Sequence, residues 1–130
     1  MSKVELCLRR AMLLFAMAGL LAACAHAPDV PRIDRSPGLD LAPIAARFGV
    51  PHCKVSAPIS QADALAHVER WDGFRLEKIS AWNAMVEATQ PGDQLRQVIC
   101  VPKGRPGGNV FFGLFRDGAM VAETHYVFLD

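Results

Sequence analysis

The sequence lacks an excess of charge of either sign, and it lacks the long apolar run of a mature membrane-spanning helix. Its 130 residues include 14 basic and 13 acidic ones, a formal net charge of +1. Because a nucleic-acid-binding face normally requires a clear basic excess, we expect no nucleic-acid partner. The uncharged stretch over residues 11–23 is also too short to remain as a spanning helix, which needs about 20 residues.

The sequence also lacks the paired spacings from which metal and catalytic sites are usually built. Neither a C-x-x-C nor an H-x-x-x-H pattern occurs, so we expect no metal and no cofactor. The glycine-rich segment Lys103–Gly108 lacks the G-K-[ST] ending of a phosphate loop and leads into a strand rather than a helix. We interpret it as a basic connection between strands, and we assign no catalytic residue from the sequence.

The first 25 residues carry the pattern of an export signal. Three basic residues precede the apolar stretch, which ends in the tetrapeptide Leu21-Ala22-Ala23-Cys24. Small residues allow a peptidase to approach the backbone, and the cysteine sulfur can form a thioether with diacylglycerol. The segment resembles the signal peptide and lipobox of bacterial lipoproteins. The alternative is an ordinary secretory signal with an incidental cysteine at position 24.

The resemblance implies a location in the bacterial cell envelope. Residues 1–23 are expected to be removed as a signal peptide, leaving Cys24 as an acylated N-terminus anchored in a lipid bilayer. Each buried CH₂ contributes about 0.8 kcal/mol, and two or more acyl chains give stable attachment. Residue 25 is alanine rather than aspartate, which in Gram-negative lipoproteins implies release to the outer membrane, facing the periplasm.

Two cysteines remain beyond the signal and the anchor, Cys53 and Cys100. Two free thiols in an oxidising envelope favour a disulfide. Because the bond closes a loop of about 48 residues, the chain-entropy model gives it a contribution of roughly 4 kcal/mol to the stability of the fold. One alternative is a Cys–His nucleophile formed by Cys53 with the adjacent His52 and with His125. The other is a metal site built from Cys53, Cys100, His52 and His125. A second available thiol in that compartment favours the disulfide.

The remaining chain divides into a tether and a single domain. Residues 24–40 hold three prolines, a glycine and charges of both signs, which is typical of a flexible tether, and residues 41–130 form the small domain. Cys53–Val55 is a short extended candidate, and Phe74–Ile79 fits either a helix or a strand.

Three helices are predicted before the last third of the chain. Trp71 and Trp82 are interpreted as core anchors, because each closes an apolar helix face, whereas His67 is expected on a polar, solvated side. The expected helices begin at the capping or leading residues Asp40, Ser60 and Ser80 and end at Gly49, Gly73 and Gln90.

The last third of the chain predicts three strands, rich in Val, Ile, Phe and Tyr. They are Leu95–Val101, Asn109–Arg116 and Ala119–Leu129. The fold class expected is therefore α+β, with N-terminal helices packed on a C-terminal three-stranded antiparallel sheet.

The dipeptide Asp117-Gly118 predicts a two-residue type I′ hairpin, from which a strand register follows. The predicted pairs are Arg116 with Ala119, Phe115 with Met120, Gly113 with Ala122 and Phe111 with Thr124. This register places a second set of side chains together on the other face of the sheet. They include the candidate binding residues Phe112, Leu114, Val121, Glu123 and His125.

This second face carries more apolar surface than a sheet usually shows to water, which favours docking of a partner. The leading hypothesis is a non-enzymatic binding or accessory module for another envelope protein. The alternative is a small periplasmic hydrolase that uses Glu123 and His125 for acid–base chemistry. A third possibility is a structural spacer, favoured if both faces of the sheet are covered.

The mature domain offers one further resemblance. The layout of Trp82, then Pro91-Gly92-Asp93, then Arg116-Asp117-Gly118 looks like small uncharacterised bacterial envelope domains. Because these motifs are mostly turn chemistry, the resemblance implies no activity.

Overall fold

The computed structural model describes residues 31–104 and 106–129, with side chains as far as Tyr126. The expected signal peptide, Cys24 and residues 24–30 of the expected tether lie outside the described residues. Within the described part of the chain, no helix is both long enough and apolar enough to cross a bilayer.

The domain is built on an antiparallel sheet whose strands follow one another in chain order, β1-β2-β3-β4-β5. Three α-helices and one 3₁₀ turn, Leu76–Lys78, lie between the strands. The strands are β1 Ile33–Asp34, β2 Lys54–Ser56, β3 Gln94–Cys100, β4 Gly108–Arg116 and β5 Ala119–Leu129. The helices are α1 Ala42–Arg47, α2 Gln61–Asp72 and α3 Ser80–Ala88.

The predicted three-stranded sheet under N-terminal helices is wrong, because the sheet has five strands and the helices are interleaved with them. The two additional strands, β1 and β2, contain two and three residues, too few to show a strand's alternation of apolar and polar residues. β1 also lies within the segment expected to be tether. The folded domain therefore includes Ile33–Asp34.

The helix ends are set by local hydrogen bonds that the sequence did indicate. The Ser60 hydroxyl accepts a hydrogen bond from the Asp63 amide, 3.0 Å away, and caps α2. The Asp40 carboxylate accepts one from the Ala42 amide at the start of α1. Gly73, with φ of +71°, ends α2 in the left-handed conformation that favours glycine.

Helices cover both faces of the sheet. On the α1 face, Ile44 and Ala45 pack against a cluster of sheet residues comprising Val55, Val98, Cys100, Phe111 and Phe115. On the α2–α3 face, the helices and the 3₁₀ turn pack against Leu95, Phe112 and Leu114. β3 is the middle strand, and four successive residues from Leu95 to Val98 are buried because both of its faces are covered.

The β4–β5 hairpin follows the predicted register only next to its turn. The Arg116–Ala119 and Phe115–Met120 pairs are confirmed. The predicted Gly113–Ala122 and Phe111–Thr124 pairs are wrong, because one residue of β5, Val121, is unpaired; a second unpaired residue, Tyr126, lies beyond both pairs. The observed pairs between these bulges are Leu114–Ala122, Gly113–Glu123, Phe112–Thr124 and Phe111–His125.

The first bulge decides where the side chains of β5 point. Since successive strand residues face opposite sides, one extra residue moves all the following side chains to the other face. Glu123 and His125 consequently lie on the α1 face, opposite Gly113 and Phe111, and not beside Phe112 and Leu114.

Candidate functional site

The structure does not bring the five candidate binding residues together on one face. Phe112 and Leu114 are buried in the core beneath α2 and α3. Val121 lies at the bulge with 47% of its surface exposed. Glu123 and His125 lie on the opposite face and are half-buried. The sheet surface expected to dock a partner is therefore occupied by the protein's own helices.

Glu123 and His125 form a polar cluster with Arg47, which the sequence did not indicate. Arg47 lies in the last turn of α1, and its Nη2 is 2.5 Å from Oε2 of Glu123. The other carboxylate oxygen, Oε1, is 3.2 Å from Nε2 of His125. Glu123 thus joins α1 to the last strand of the sheet through one carboxylate.

Aromatic rings hold this cluster in place. The His125 ring stacks on Phe111 with their centroids 4.4 Å apart and their planes 13° apart. Phe48, which follows α1, contacts both rings at 5.6 and 5.8 Å, and the Arg47 guanidinium lies 4.8 Å from its centroid. Stacked rings and a cation over an aromatic face each contribute about 0.5–1 kcal/mol in such surroundings. The cluster therefore fastens α1 to β5.

Two cavities formed by the described residues lie away from this cluster. One, of about 120 Å³, lies between α3 and the sheet and is lined by residues including Met85, Leu95 and Leu114. The other, of about 320 Å³, lies beside Pro31 and Pro58. Neither cavity is lined by Glu123 or His125, so neither places a substrate against the pair that acid–base catalysis would use.

Cys53 and Cys100 form a disulfide with an S–S distance of 2.05 Å and a Cα–Cα distance of 4.5 Å, which confirms the predicted bond. The cysteines precede and follow the paired residues Lys54 and Ile99, so the bond joins β2 to β3 directly across the ladder. Both cysteines are buried. With both sulfurs in the bond, neither is available as a nucleophile or as a metal ligand.

The P-G-D and R-D-G motifs, which the sequence suggested only as turns, meet in one ion pair. Nε and Nη2 of Arg116 donate to the two carboxylate oxygens of Asp93 at 2.9 and 2.8 Å. Asp93 also accepts from the Gln90 amide. These hydrogen bonds lower the pKa of Asp93 to about 2. Because Gln94 pairs with Phe115, the strand register places Asp93 opposite Arg116. The sequence did not predict this register, and the ion pair was therefore missed.

A second ion pair was not foreseeable from local sequence. Arg96 lies on central strand β3 with its side chain 5% exposed, and its Nη1 donates to Asp34 of β1 at 2.8 Å. The same nitrogen donates to the Ser56 carbonyl at 2.9 Å, while Nε and Nη2 donate to the side chain of Gln94. Asp34 lies in the segment expected to be tether, so nothing suggested that an arginine of β3 would need it.

Two assignments on α2 are wrong because its buried stripe is rotated from the predicted one. Trp71, expected in the core, is 58% exposed, with Arg70 over its ring. His67, expected in solvent, is buried, and its Nδ1 has no hydrogen-bond partner within the described residues. Burial lowers the pKa of His67 below its ordinary value near 6.5, opposed in part by Asp72. Trp82, the other predicted anchor, is buried as expected.

Comparisons with protein-family models, with curated proteins and with solved structures find no match to this chain.

Proposed function

We propose that this protein is a lipid-anchored periplasmic lipoprotein, held at the outer membrane by acyl chains on Cys24. The support is the agreement of basic residues, apolar stretch and Leu21–Cys24 tetrapeptide. The Cys53–Cys100 bond is consistent with that location, because disulfides persist in oxidising compartments such as the periplasm.

We further propose that the domain is a non-enzymatic binding or accessory module for another envelope protein. The observation that carries this proposal is the use of Glu123, the only carboxylate assigned to acid–base chemistry, to bind Arg47 and fasten α1 to β5. A hydrolase at that position would need its carboxylate and imidazole directed into a substrate cavity. Helices cover both faces of the sheet, which is the arrangement expected of a structural spacer, so a binding role requires a surface other than the faces. The edges of the sheet are that surface.

The anchor is tested by mass spectrometry of the chain purified from its host envelope. We expect a product that starts at residue 24 and is heavier than the polypeptide by a diacylglycerol and an amide-linked acyl chain. An unmodified thiol at position 24, or a product that retains Met1, contradicts the proposal. The Cys24→Ser variant is the matched control and is expected in the soluble periplasmic fraction.

The binding role is tested by crosslinking the anchored protein in intact envelopes and identifying the captured chains. We expect one envelope protein to be enriched with the native chain and lost with Cys24→Ser, because the anchor confines both proteins to one surface. Equal recovery of many chains from both samples contradicts the role. In parallel, Glu123→Gln is expected to leave capture unchanged, and a loss of capture would contradict the assignment of Glu123 to fastening α1.

A further inference from the structure

The outer edge of β2 is held in place without help from β1. The disulfide between Cys53 and Cys100 ties one end of β2 to β3. At the other end the Ser56 hydroxyl accepts a hydrogen bond from the Gln97 amide at 2.9 Å. Val55, between them, is buried in the α1-face core. If β1 leaves, β2 therefore remains as an ordered edge with unpaired backbone groups, which is the template for strand addition.

Arg96 supplies a carboxylate site beside this edge. Its guanidinium is nearly inaccessible to water, and it is oriented by the Ser56 carbonyl and the Gln94 side chain. A buried guanidinium requires an anion, since an unpaired buried charge is costly. Asp34 of β1 provides that anion, and the contact lowers the pKa of the Asp34 carboxyl.

β1 fills this edge only in part, and the register shows why. Asp34 pairs with Val55, so the next pair in the ladder would be Arg35 with Lys54. Like charges directly opposite one another destabilise a strand pair. The chain turns away at this point, and the Ser36 amide donates to the Asp34 carboxylate at 3.0 Å.

The contacts that hold β1 are few. It forms two residue pairs with β2, one further backbone hydrogen bond from the Ala57 amide to the Arg32 carbonyl, and the ion pair with Arg96. Ile33 is 44% exposed and buries little apolar surface. Lys54 is exposed and, among the described residues, takes part in no salt bridge.

We propose that the edge of β2 accepts an extended segment of the partner protein in place of β1. The segment carries an apolar residue at the position of Ile33, a carboxylate at the position of Asp34 and a second acidic residue opposite Lys54. This inference rests on the proposed binding role and names the surface that performs it. A second copy that exchanged its β1 would present the same Arg35 to Lys54 and gain nothing over the β1 already present, so the proposed occupant is a different protein.

The test uses three synthetic peptides spanning residues 30–38, added to the full-length chain in detergent. The first has the native sequence, the second carries Arg35→Glu, and the third carries Arg35→Glu together with Asp34→Asn. The protein carries Asp34→Asn to weaken competition from its own β1. Amide chemical shifts of residues 54–57 report binding at the edge, and titration gives the relative affinities.

We expect the Arg35→Glu peptide to bind about threefold or more tightly than the native one, because a like-charge pair becomes an opposite-charge pair. Loss of the Asp34 carboxylate should weaken binding at least about tenfold, since a charge-assisted hydrogen bond to Arg96 is lost. Lys54→Glu in the protein should invert the order of the first two peptides. Lys54 is exposed, so this variant is expected to fold normally.

Arg35→Glu in the protein itself is the complementary variant. It should lengthen β1 by one pair, slow amide exchange at Val55, whose backbone faces β1 as that of Ala57 does, and reduce the affinity of every peptide. The inference is overturned if the order of peptide affinities does not depend on the charge at position 54. It is also overturned if the chemical-shift changes are confined to other strands. If the affinities do not follow the expected order while envelope crosslinking still captures a partner, the binding role stands and only the β2 edge is rejected as its surface. A correct order with no captured partner supports the edge and contradicts the proposed role.

Discussion

The two faces of the sheet are both covered by helices but differ in chemistry. The α2–α3 face packs aliphatic and aromatic side chains such as Leu95, Phe112 and Leu114 against two helices. The α1 face buries Phe111 and Phe115 but also carries the charged or titratable side chains of Arg96, Glu123 and His125. The α1 face uses ion pairs to attach the shortest strand, β1, and the shortest α-helix, α1.

Under the proposed binding role, this difference would separate the part of the molecule that provides stability from the part that contacts a partner. A surface that binds a partner must be ordered yet replaceable, and elements held by a few polar contacts open more readily than elements held by apolar packing. The α1 face and its adjacent β2 edge meet that description better than the face that the sequence had indicated.

The largest expected effect comes from placing a charge in the α2–α3 face. Leu114→Lys should destabilise the domain by about 4 kcal/mol or more, because a buried, unpaired ammonium is added while packing is lost. Val121→Lys is the matched control on the exposed bulge and should change stability by about 0.5 kcal/mol or less. Urea denaturation followed by circular dichroism measures both. A Leu114→Lys variant that folds with native stability means that this face is not core.

Removing the disulfide is the next largest perturbation and acts on the α1 face. A Cys53→Ala, Cys100→Ala variant should lose about 2–4 kcal/mol, since the unfolded chain regains the freedom of the loop. The loss should appear first as faster amide exchange in β2, which the bond ties to β3. If protection from amide exchange falls equally in all strands, the disulfide does not act mainly on β2, which contradicts the account. Thermal unfolding of oxidised and reduced native protein gives an independent value.

A smaller effect is expected at the cluster around Glu123. Glu123→Gln should cost no more than about 1 kcal/mol, because Arg47 and Glu123 are both partly exposed and such pairs are weak. Double-mutant analysis with Arg47→Ala gives the coupling between the two side chains. A coupling near zero, or a stability loss that matches a core substitution, contradicts the assignment of this pair to fastening α1.

The smallest effect is a pH dependence that belongs to the α2–α3 face. Burial holds the pKa of His67 below the value of about 6.5 expected in the unfolded chain. The neutral ring is therefore favoured in the folded state, so its stability contribution is complete above pH 6.5 and is lost as pH falls below that value. His67→Leu should show a flatter decline of the urea midpoint between pH 7.5 and pH 5.5. Parallel curves for the two proteins contradict a buried neutral His67.

Turns and helix ends could be predicted because they depend on neighbouring residues. Ser60, Gly73 and the Asp117-Gly118 turn each act through one or two local hydrogen bonds or backbone angles. The disulfide was predicted from the oxidising compartment and from the number of remaining cysteines, not from geometry. These signals fixed the boundaries of α2 and the hairpin turn.

The remainder depended on long-range pairing that leaves little trace in the sequence. The alternation of apolar and polar residues around Val121 gives no sign of a bulge. The bulge nevertheless moves Glu123 and His125 to the other face and removes the predicted docking surface. β1 is two residues long, and its ion pair joins residues 62 positions apart. Both errors concern the α1 face, where pairing rather than apolar periodicity decides the structure.

Site-specific photo-crosslinking in intact envelopes tests the proposed role of the β2 edge most directly. A photoreactive residue at exposed position 52, two residues before Lys54, is compared with one at exposed position 69 on α2. We predict one envelope protein crosslinked from position 52 and not from position 69, with the product reduced by Arg35→Glu, which lengthens β1. Equal crosslinking from both positions, or a product that Arg35→Glu does not change, would contradict it.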